Sequence, residues 1–528
     1  MKRIAFLLLL TGLVGALACG GGSEDGADGD NGKGGKADEN GGDFPCEVEH
    51  FRGGAIDLSQ RTDVLAEKVL KNGDGCPTDF AAVMEKLRQT DSEKCSTETR
   101  TSGINSMVVS ETAQLLGEPT GYRIVTTRKC GDRDQEDLFF SLFGVSPVEK
   151  DEEGKFTGNL PRGAEVMAFD EAKQEYAYYE ITNGGKWEFF GTSTDILTGE
   201  AGRCASCHTG GGPIMKELDT PWLHWEGHED VPGAKDLVDA FDDLGSKASG
   251  SRMEGLTKSG NRKWNKTRVE LLKSTGDTSR LLEPLFCTVE VNIDNGTDFA
   301  GRELGRVNLD FMLDPQLAGF GGIDVNHEDY VALRDEFEQF VDLGGQNAQD
   351  AEGKEIRDTI FLFAYPERSF ADNDYVTKLK DAGIVDDEFI KDVLAVDFTN
   401  PIWSDARCDL LQFAPEVEEF TPDTLREGFL AKLADAEEGT PAAALKANLE
   451  EKENQQAHKD AVTAFTDACK ARDKREFLED IMFVVTARRD QARALHVFEF
   501  DPSLPKSTFS VDPSVHLDPV TCELVQPE

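Results

Sequence analysis

The chain has 528 residues, of which 101 are acidic and 56 are basic, so its formal net charge is −45. This charge argues against a nucleic-acid partner, because the phosphates would be repelled. It favours a surface that attracts cations and, for a redox protein, a partner with a basic docking surface; solubility alone is the alternative explanation. The length and the 38% hydrophobic content predict a globular protein of two or three domains.

Residues 1–18 have the pattern of an export signal. A basic start precedes an apolar run, Ile4–Ala18, that is too short to span a bilayer comfortably. The run ends in GALAC, which resembles a bacterial lipobox and predicts that Cys19 carries a lipid anchor to the membrane. The alternative is ordinary cleavage that leaves Cys19 unmodified. Gly20 is not an inner-membrane retention signal, so we expect an outer-membrane lipoprotein that faces the periplasm or the cell surface.

Residues 19–44 are predicted to be a flexible linker, because they are mostly Gly, Asp and Asn. Two helices should follow in TDVLAEKVLKN and PTDFAAVMEKLRQ. Six short runs of β-branched and aromatic residues, from MVVSETAQL to KWEFFG, are then separated by turn residues and predict an antiparallel β-meander. Asn183–Gly185 is typical of a hairpin turn.

The remaining chain is predicted to be mostly helical, with a strand-like interruption in LLEPLFCTVEVNID around Cys287. Amphipathic helices are expected in AKDLVDAFDDLGSK, HEDYVALRDEFEQFVDL, DYVTKLKDAGIVDDEFIKDVLA, TPDTLREGFLAKLADA, AAALKANLEEKENQQAHKDAVTAFTDACKA and KREFLEDIMFVVTARRDQARAL. The fold class expected is therefore α+β. An α+β domain should occupy residues 45–229, and a mostly α-helical region should occupy residues 230–528. No repeat of fixed period is present.

The stretch RCASCHTGGGPIMKEL begins at Arg203 and contains Cys204, Cys207 and His208. This spacing is typical of c-type haem attachment, and the composition would produce it by chance only about 0.003 times in such a chain. Residues i and i+3 share one face of a helical turn, so both thiols can reach the two vinyl groups of one porphyrin. His208 would then be the proximal iron ligand. Gly210–Pro213 should end the turn and let the backbone pass close to the haem edge.

Two other uses of the cysteine pair remain open. His224 and His228 follow at a spacing that would complete a Cys₂His₂ zinc site. A redox dithiol is the second alternative, although the βαβ pattern that usually surrounds one is missing. One covalent haem c is the favoured interpretation.

The distal ligand of the iron has two candidates of suitable type, Met253 and His224. Met215 is only seven residues from His208 and so is poorly placed to reach the opposite face of the haem. Taken singly, each methionine or histidine is more often a core or surface residue.

The chain has eleven cysteines, and setting aside Cys19 and the motif pair leaves an even number that can form disulfides in an exported protein. Up to four disulfides are expected, and their pairing is open. The eight cysteines concerned are Cys46, Cys76, Cys95, Cys130, Cys287, Cys408, Cys469 and Cys522.

From about Ser106 to Pro213, the segments GAEVMAFDEAKQEYAYYEI, GKWEFFG and CASCH resemble the cytochrome P460 and cytochrome c′-β family. The resemblance implies a β-sheet haem pocket with His208 proximal, an open or apolar distal side, and oxidation of hydroxylamine or binding of nitric oxide. AEVMAF lacks the lysine that P460 proteins cross-link to haem. The whole chain also resembles a group of monohaem c-type cytochrome lipoproteins of the myxobacterial kind, through CHTGGGPIMKEL.

Three functions are consistent with these features. The first is electron transfer by a membrane-anchored cytochrome with a redox partner protein. The second is a P460- or c′-β-like haem enzyme or small-gas-binding protein, which as an enzyme would be an oxidoreductase. The third is a scaffold lipoprotein whose haem is inert. Electron transfer is favoured, because one haem motif on an acidic chain is sufficient for it.

Overall fold

The computed structural model is an α+β protein. It describes residues 44–90, 103–110, 122–129, 138–145, 149–154, 156–157, 160–214, 240–241, 244, 246–247, 250–294, 297–300, 303–307, 312–314, 316–317, 322–337, 341–342, 365–450, 455–495, 506–507 and 511–526. Among these residues, no helix is both long and apolar enough to cross a membrane.

The strands and helices are numbered in chain order. The strands are β1 Val48–His50, β2 Gly103–Ser110, β3 Tyr122–Lys129, β4 Leu138–Val145, β5 Glu149–Lys150, β6 Phe156–Thr157, β7 Ala164–Asp170, β8 Glu175–Ile181, β9 Trp187–Thr192, β10 Ser246–Lys247, β11 Val291–Asp294, β12 Thr297–Ala300, β13 Glu303–Val307, β14 Ile323–Asp324, β15 Val341–Asp342, β16 Tyr365–Arg368, β17 Lys506–Ser507, β18 His516–Leu517 and β19 Leu524–Val525. The α-helices are α1 Phe80–Thr90, α2 Ser193–Thr198, α3 Gly250–Thr275, α4 Thr278–Phe286, α5 His327–Phe337, α6 Phe370–Asp381, α7 Asp387–Leu394, α8 Asp405–Cys408, α9 Pro422–Lys432, α10 Pro441–Glu450, α11 Gln455–Ala471 and α12 Lys474–Leu495. Short 3-10 turns lie at Leu58–Gln60, Arg203–Ser206 and Asp409–Phe413, and Ala66–Leu70 is a π-helix.

One eight-stranded sheet has the order β1-β9-β8-β7-β4-β3-β2-β10. The neighbours from β2 to β9 are antiparallel, whereas the short edge strands β1 and β10 run parallel to their neighbours, so the sheet is mixed. The hairpin between β8 and β9 turns at Asn183–Gly185, where Gly185 has a φ of 79°. A side chain there would also collide with the carbonyl oxygen of Thr78, at 2.8 Å.

The two faces of this sheet pack against different parts of the chain. One face, with Phe140, Val166 and Tyr179, shares a core with the N-terminal helical segments. The other face, with Phe139, Met167 and Tyr178, belongs to a larger core that also includes α3 and the C-terminal helices. Alternation along each strand produces this division, because successive side chains point to opposite faces. The second face is the one that positions the candidate site.

The strand predicted in LLEPLFCTVEVNID is confirmed only at the end of the segment, where Val291–Asp294 forms β11. The residues before Cys287 are wrongly assigned, because they belong to helix α4, which ends at Phe286. Leu281, Leu282 and Leu285 are fully buried along one side of the helix. The run of apolar residues was misread because a short buried helix and a short buried strand have the same composition.

Three disulfides join described residues: Cys46–Cys76, Cys287–Cys408 and Cys469–Cys522. Cys469–Cys522 fixes the C-terminal segment to α11. Cys95 and Cys130 lie outside the described residues.

Candidate functional site around the Cys-x-x-Cys-His turn

The turn that carries the motif is placed by the end of the sheet. Strand β9 ends at Thr192, whose side chain caps α2 together with Asp195 in a reciprocal capping box. Helix α2 is capped at its C-terminus by Gly199, which has a φ of 75° and adopts the left-handed conformation that glycine tolerates. The chain then returns over β9, where the N–H of Gly202 donates to the carbonyl of Phe190 at 2.8 Å. The short, well-capped helix therefore holds the motif against the last strand of the sheet.

Cys204 and Cys207 lie on one tight turn. The N–H groups of Cys207 and His208 donate to the carbonyl of Cys204 at 3.3 and 2.9 Å. Both cysteines carry thiols and both are half-buried. A separation of three residues on such a turn directs two side chains to the same side. The turn therefore has the form that attachment to two neighbouring vinyl groups requires.

The ring of His208 is oriented by a hydrogen bond from Nδ1 to the carbonyl oxygen of Gly212, at 2.7 Å. A carbonyl oxygen only accepts, so Nδ1 carries the proton and the lone pair of the imidazole is on Nε2. This is the arrangement that orients a metal-binding histidine in many proteins. The His208 ring lies 5.0 Å from that of Tyr178 on β8. The residues present therefore fit an iron porphyrin, with two thiols for its vinyl groups and Nε2 for its metal.

The segment after His208 is held between the sheet and α3. The hydroxyl groups of Tyr178 and Ser193 donate to the carbonyl of Gly211 at 2.9 and 2.6 Å. From α3, the indole N–H of Trp264 donates to the carbonyl of Gly210, and the Asn261 amide donates to the carbonyl of Pro213, both at 2.7 Å. Burial raises the pKa of Tyr178 well above its usual value, and the nearby Cys204 adds to this, so the phenol remains a donor.

The glycines in this segment are required by close approach. Gly211 has a φ of 76°, and a Cβ there would lie 3.0 Å from the carbonyl oxygen of Ser193. A Cβ on Gly212 would lie only 2.2 Å from Oδ1 of Asn261. The sequence predicted that the glycines would admit the haem edge; the described contacts show them admitting side chains of α3 and the backbone of α2.

Arg203 orients the start of the turn over the sheet. Its guanidinium pairs with Glu180 on β8 and lies 3.5 Å from Glu165 on β7. It also lies 5.0 Å above the ring of Phe190. Glu165 and Glu180 are directly opposite each other in the β7–β8 pair, so this end of the sheet face is acidic.

A second layer of polar contacts supports the loop from the C-terminal side. The hydroxyl of Thr209 donates to the carbonyl of Val289 at 3.2 Å. The carboxylate of Asp372, on α6, accepts from the N–H groups of Val289 and Glu290 at 2.8 and 3.0 Å. Burial raises the pKa of Asp372, and the nearby Arg268 partly opposes this rise.

Met253 is buried on α3, with 6% of its surface exposed, and belongs to the same core cluster as Tyr178 and Trp264. Sequence reasoning overlooked Met167, which lies directly opposite Tyr178 in the β7–β8 pair and is also buried. The alternation of AEVMAF could have placed Met167 on this face, but only with the pairing of the strands known.

The other predicted site residues lie outside the described residues: Cys19, Met215, His224 and His228. The zinc alternative therefore rests, as before, on the spacing of its four residues. Within the described ranges, no group of three or more His, Cys, Asp or Glu side chains could hold a metal ion.

Comparison with known proteins gave no match to a family model, to a curated protein or to a solved structure.

Proposed function

We propose that this protein is an exported, membrane-anchored c-type cytochrome that binds one haem through Cys204, Cys207 and His208 and acts in electron transfer. The observation that carries the proposal is the pairing of the thiol turn with a histidine whose Nδ1–H is bound to the carbonyl of Gly212. An antiparallel haem-bearing sheet, followed by a mostly helical C-terminal region, is part of the same proposal.

Attachment needs only the two cysteines as reacting groups. Each thiol adds across one vinyl C=C bond: an S–C bond forms, the π bond breaks, and the thiol hydrogen moves to the other vinyl carbon. The addition is redox-neutral and needs no external oxidant. His208 would bind the iron through Nε2, and the bound haem would supply a reversible one-electron change.

Electron transfer is supported by the charge and by the setting of the turn. A net charge of −45 suits docking to a redox partner with a basic surface. Lipidation of Cys19 at the outer membrane would keep the protein near such a partner. The hydrogen bonds from Tyr178, Trp264 and Asn261 would hold the loop in one geometry, and this limits rearrangement when the iron changes its charge.

A second candidate is the binding of a small gas or a P460-like reaction. It is favoured by the sheet face beside Tyr178, where Phe139 and Met167 are buried and apolar. An apolar distal side would admit a neutral diatomic molecule and would not supply a strong ligand. The resemblance to the P460 and c′-β family likewise implies a β-sheet haem pocket with an open or apolar distal side.

Absorption spectra of the purified protein, ferric and ferrous, with and without carbon monoxide, test these proposals. We expect covalently attached haem. Cys204→Ser or Cys207→Ser should weaken its attachment, and Ala205→Ser should leave the attachment intact. Ala205 lies between the two cysteines on the same turn and is therefore a matched control. A ferrous spectrum unchanged by carbon monoxide supports electron transfer or an inert haem, whereas a shift supports the second candidate. A protein without covalent haem would refute the proposal and favour zinc or a dithiol.

A further inference from the structure

Two buried polar atoms without hydrogen bonds lie on the sheet face beside His208, among the residues that the structure describes. Among the residues that the structure describes, Nδ2 of Asn105 on β2 and Oγ1 of Thr127 on β3 are buried without a hydrogen-bond partner. Asn105 is 7% exposed and Thr127 is fully buried. Burying an amide or hydroxyl group in this way is unfavourable, so such groups in a folded protein usually meet a ligand or a water molecule.

The strand register places both groups in one row with the candidate site. Asn105 is opposite Thr127, and Thr127 is opposite Phe139. Phe139 is opposite Met167, and Met167 is opposite Tyr178, which contacts the His208 ring. Directly paired residues point to the same face of a sheet. The row therefore runs from His208 across two apolar residues to two polar ones. With strands about 4.8 Å apart, Thr127 lies about 14 Å from Tyr178.

The opposite face shows that this arrangement is not a general property of β2 and β3. There the next residues along the two strands, Ser106 and Thr126, are hydrogen-bonded to each other at 2.8 Å. Ser106 also lies 2.7 Å from the carbonyl oxygen of Leu244 and donates to it. The polar pair that faces the other core is thus hydrogen-bonded, whereas Nδ2 of Asn105 and Oγ1 of Thr127 have no partner within the described part of the chain.

We propose that Asn105 and Thr127 receive the carboxylate arms of the haem, an inference that rests on the proposed haem attachment at Cys204 and Cys207. The vinyl and carboxylate groups of a porphyrin lie at opposite edges of the ring. Thiols that hold the vinyl edge near β8 therefore direct the carboxylates away across β7 and β4. An amide N–H and a hydroxyl group are suitable donors to a carboxylate.

The charges at the two ends of the row favour the same orientation. Near the turn, Glu165 and Glu180 lie side by side, and even with Arg203 between them they disfavour a further carboxylate. At the far end, the two unpartnered groups are neutral donors. The apolar middle of the row, Phe139 and Met167, suits the porphyrin ring.

The test compares the full chain with and without covalent haem, obtained by expression with and without a haem-attachment system. Thr127→Val and Asn105→Leu remove the two donors. Each should lower the melting temperature of the haem-bearing protein by about 2–4 °C, because a carboxylate loses a hydrogen bond. In the haem-free chain, the same substitutions remove an unsatisfied polar group, so the melting temperature should stay the same or rise. Thr126→Val is the matched control, because it breaks the Ser106 bond and should destabilise both forms equally.

Resonance Raman spectra of the haem-bearing variants provide a second readout that does not need the haem-free chain to fold. The carboxylate-bending bands should move in Thr127→Val and Asn105→Leu but not in Thr126→Val. Equal melting shifts in both forms, together with unchanged bands, would overturn the inference and leave the two groups to a buried water molecule. A chain that never acquires covalent haem would instead refute the proposed function.

Discussion

Substituting Gly212 tests how α3 holds the loop after His208. A Cβ at residue 212 would lie 2.2 Å from Oδ1 of Asn261. Asn261 is only 3% exposed, so its side chain has little room to move. The amide of Asn261 is also held by the carbonyls of Pro213 and Thr257, at 2.7 and 3.1 Å. Gly212→Ala therefore forces either the loop or the amide to shift.

The expected cost follows from these contacts. Overpacking a filled site costs about 1–3 kcal/mol, and the loss of one amide hydrogen bond adds about 1 kcal/mol. Gly212→Ala should therefore lower the free energy of unfolding by about 2–4 kcal/mol. In an Asn261→Ala background the clashing oxygen is gone, and the same substitution should cost about 1 kcal/mol or less.

Denaturant unfolding of the full chain, followed by tryptophan fluorescence, measures this double-mutant cycle. Trp264 is buried and donates to the carbonyl of Gly210, so it reports on the loop, whereas Trp187 is buried in the core on the other face of the sheet and reports on global unfolding. Gly255→Ala is the control, because no atom lies within 4 Å of its Cβ position on the same helix, and it should be neutral or slightly stabilising. An equal cost of Gly212→Ala in both backgrounds would refute the steric account.

Three further predictions concern pH, disulfides and the distal ligand. Burial raises the pKa of the Asp372 carboxyl above its value in the unfolded chain. The stability that this carboxyl contributes is therefore present at low pH and is lost as the pH rises through the raised pKa. Asp372→Asn should remove this part of the pH dependence of the melting temperature, and a pH dependence that the substitution leaves unchanged would contradict the prediction. Because three disulfides use six of the eight remaining cysteines, mass mapping of non-reduced peptides should find Cys95 linked to Cys130, and two thiols there would contradict this. If Met253 binds the iron, Met253→Ala should let the ferrous protein bind carbon monoxide, whereas Met482→Ala, at another buried methionine, should not; identical spectra would exclude Met253.

The α+β class could be predicted from the sequence, because period and turn residues are local signals. The structure has a strand in each of the six aromatic and β-branched segments. The predicted helix in KREFLEDIMFVVTARRDQARAL matches α12, Lys474–Leu495. Elsewhere one long predicted helical segment is two helices, α6 and α7, separated where Gly383 has a φ of 69°.

Helix α3 was missed, although it supplies half of the contacts around the loop. Its sequence is polar and contains three glycines, so its apolar stripe is weak. One of these, Gly260, is needed because a Cβ there would lie 2.5 Å from the hydroxyl of Tyr176 and 2.6 Å from Pro213. A residue chosen for close packing against a distant segment lowers the helical signal that a single sequence offers.

For the site, spacing alone was enough to predict that Cys204 and Cys207 share a turn, since i and i+3 is a local relation. It could not predict the acceptor for His208 or the donors from Tyr178 and Asn261, because these depend on how the sheet and α3 meet. The unpartnered Asn105 and Thr127 are also a property of strand register and not of composition.

The most direct test of the account is the intact mass and visible spectrum of the mature protein, made in cells that attach haem covalently and then extracted with acidified organic solvent. The account predicts that one haem stays with the polypeptide, and that it is lost when Cys204 and Cys207 are both replaced by alanine. A mass equal to that of the polypeptide alone, with no haem absorption, would contradict it.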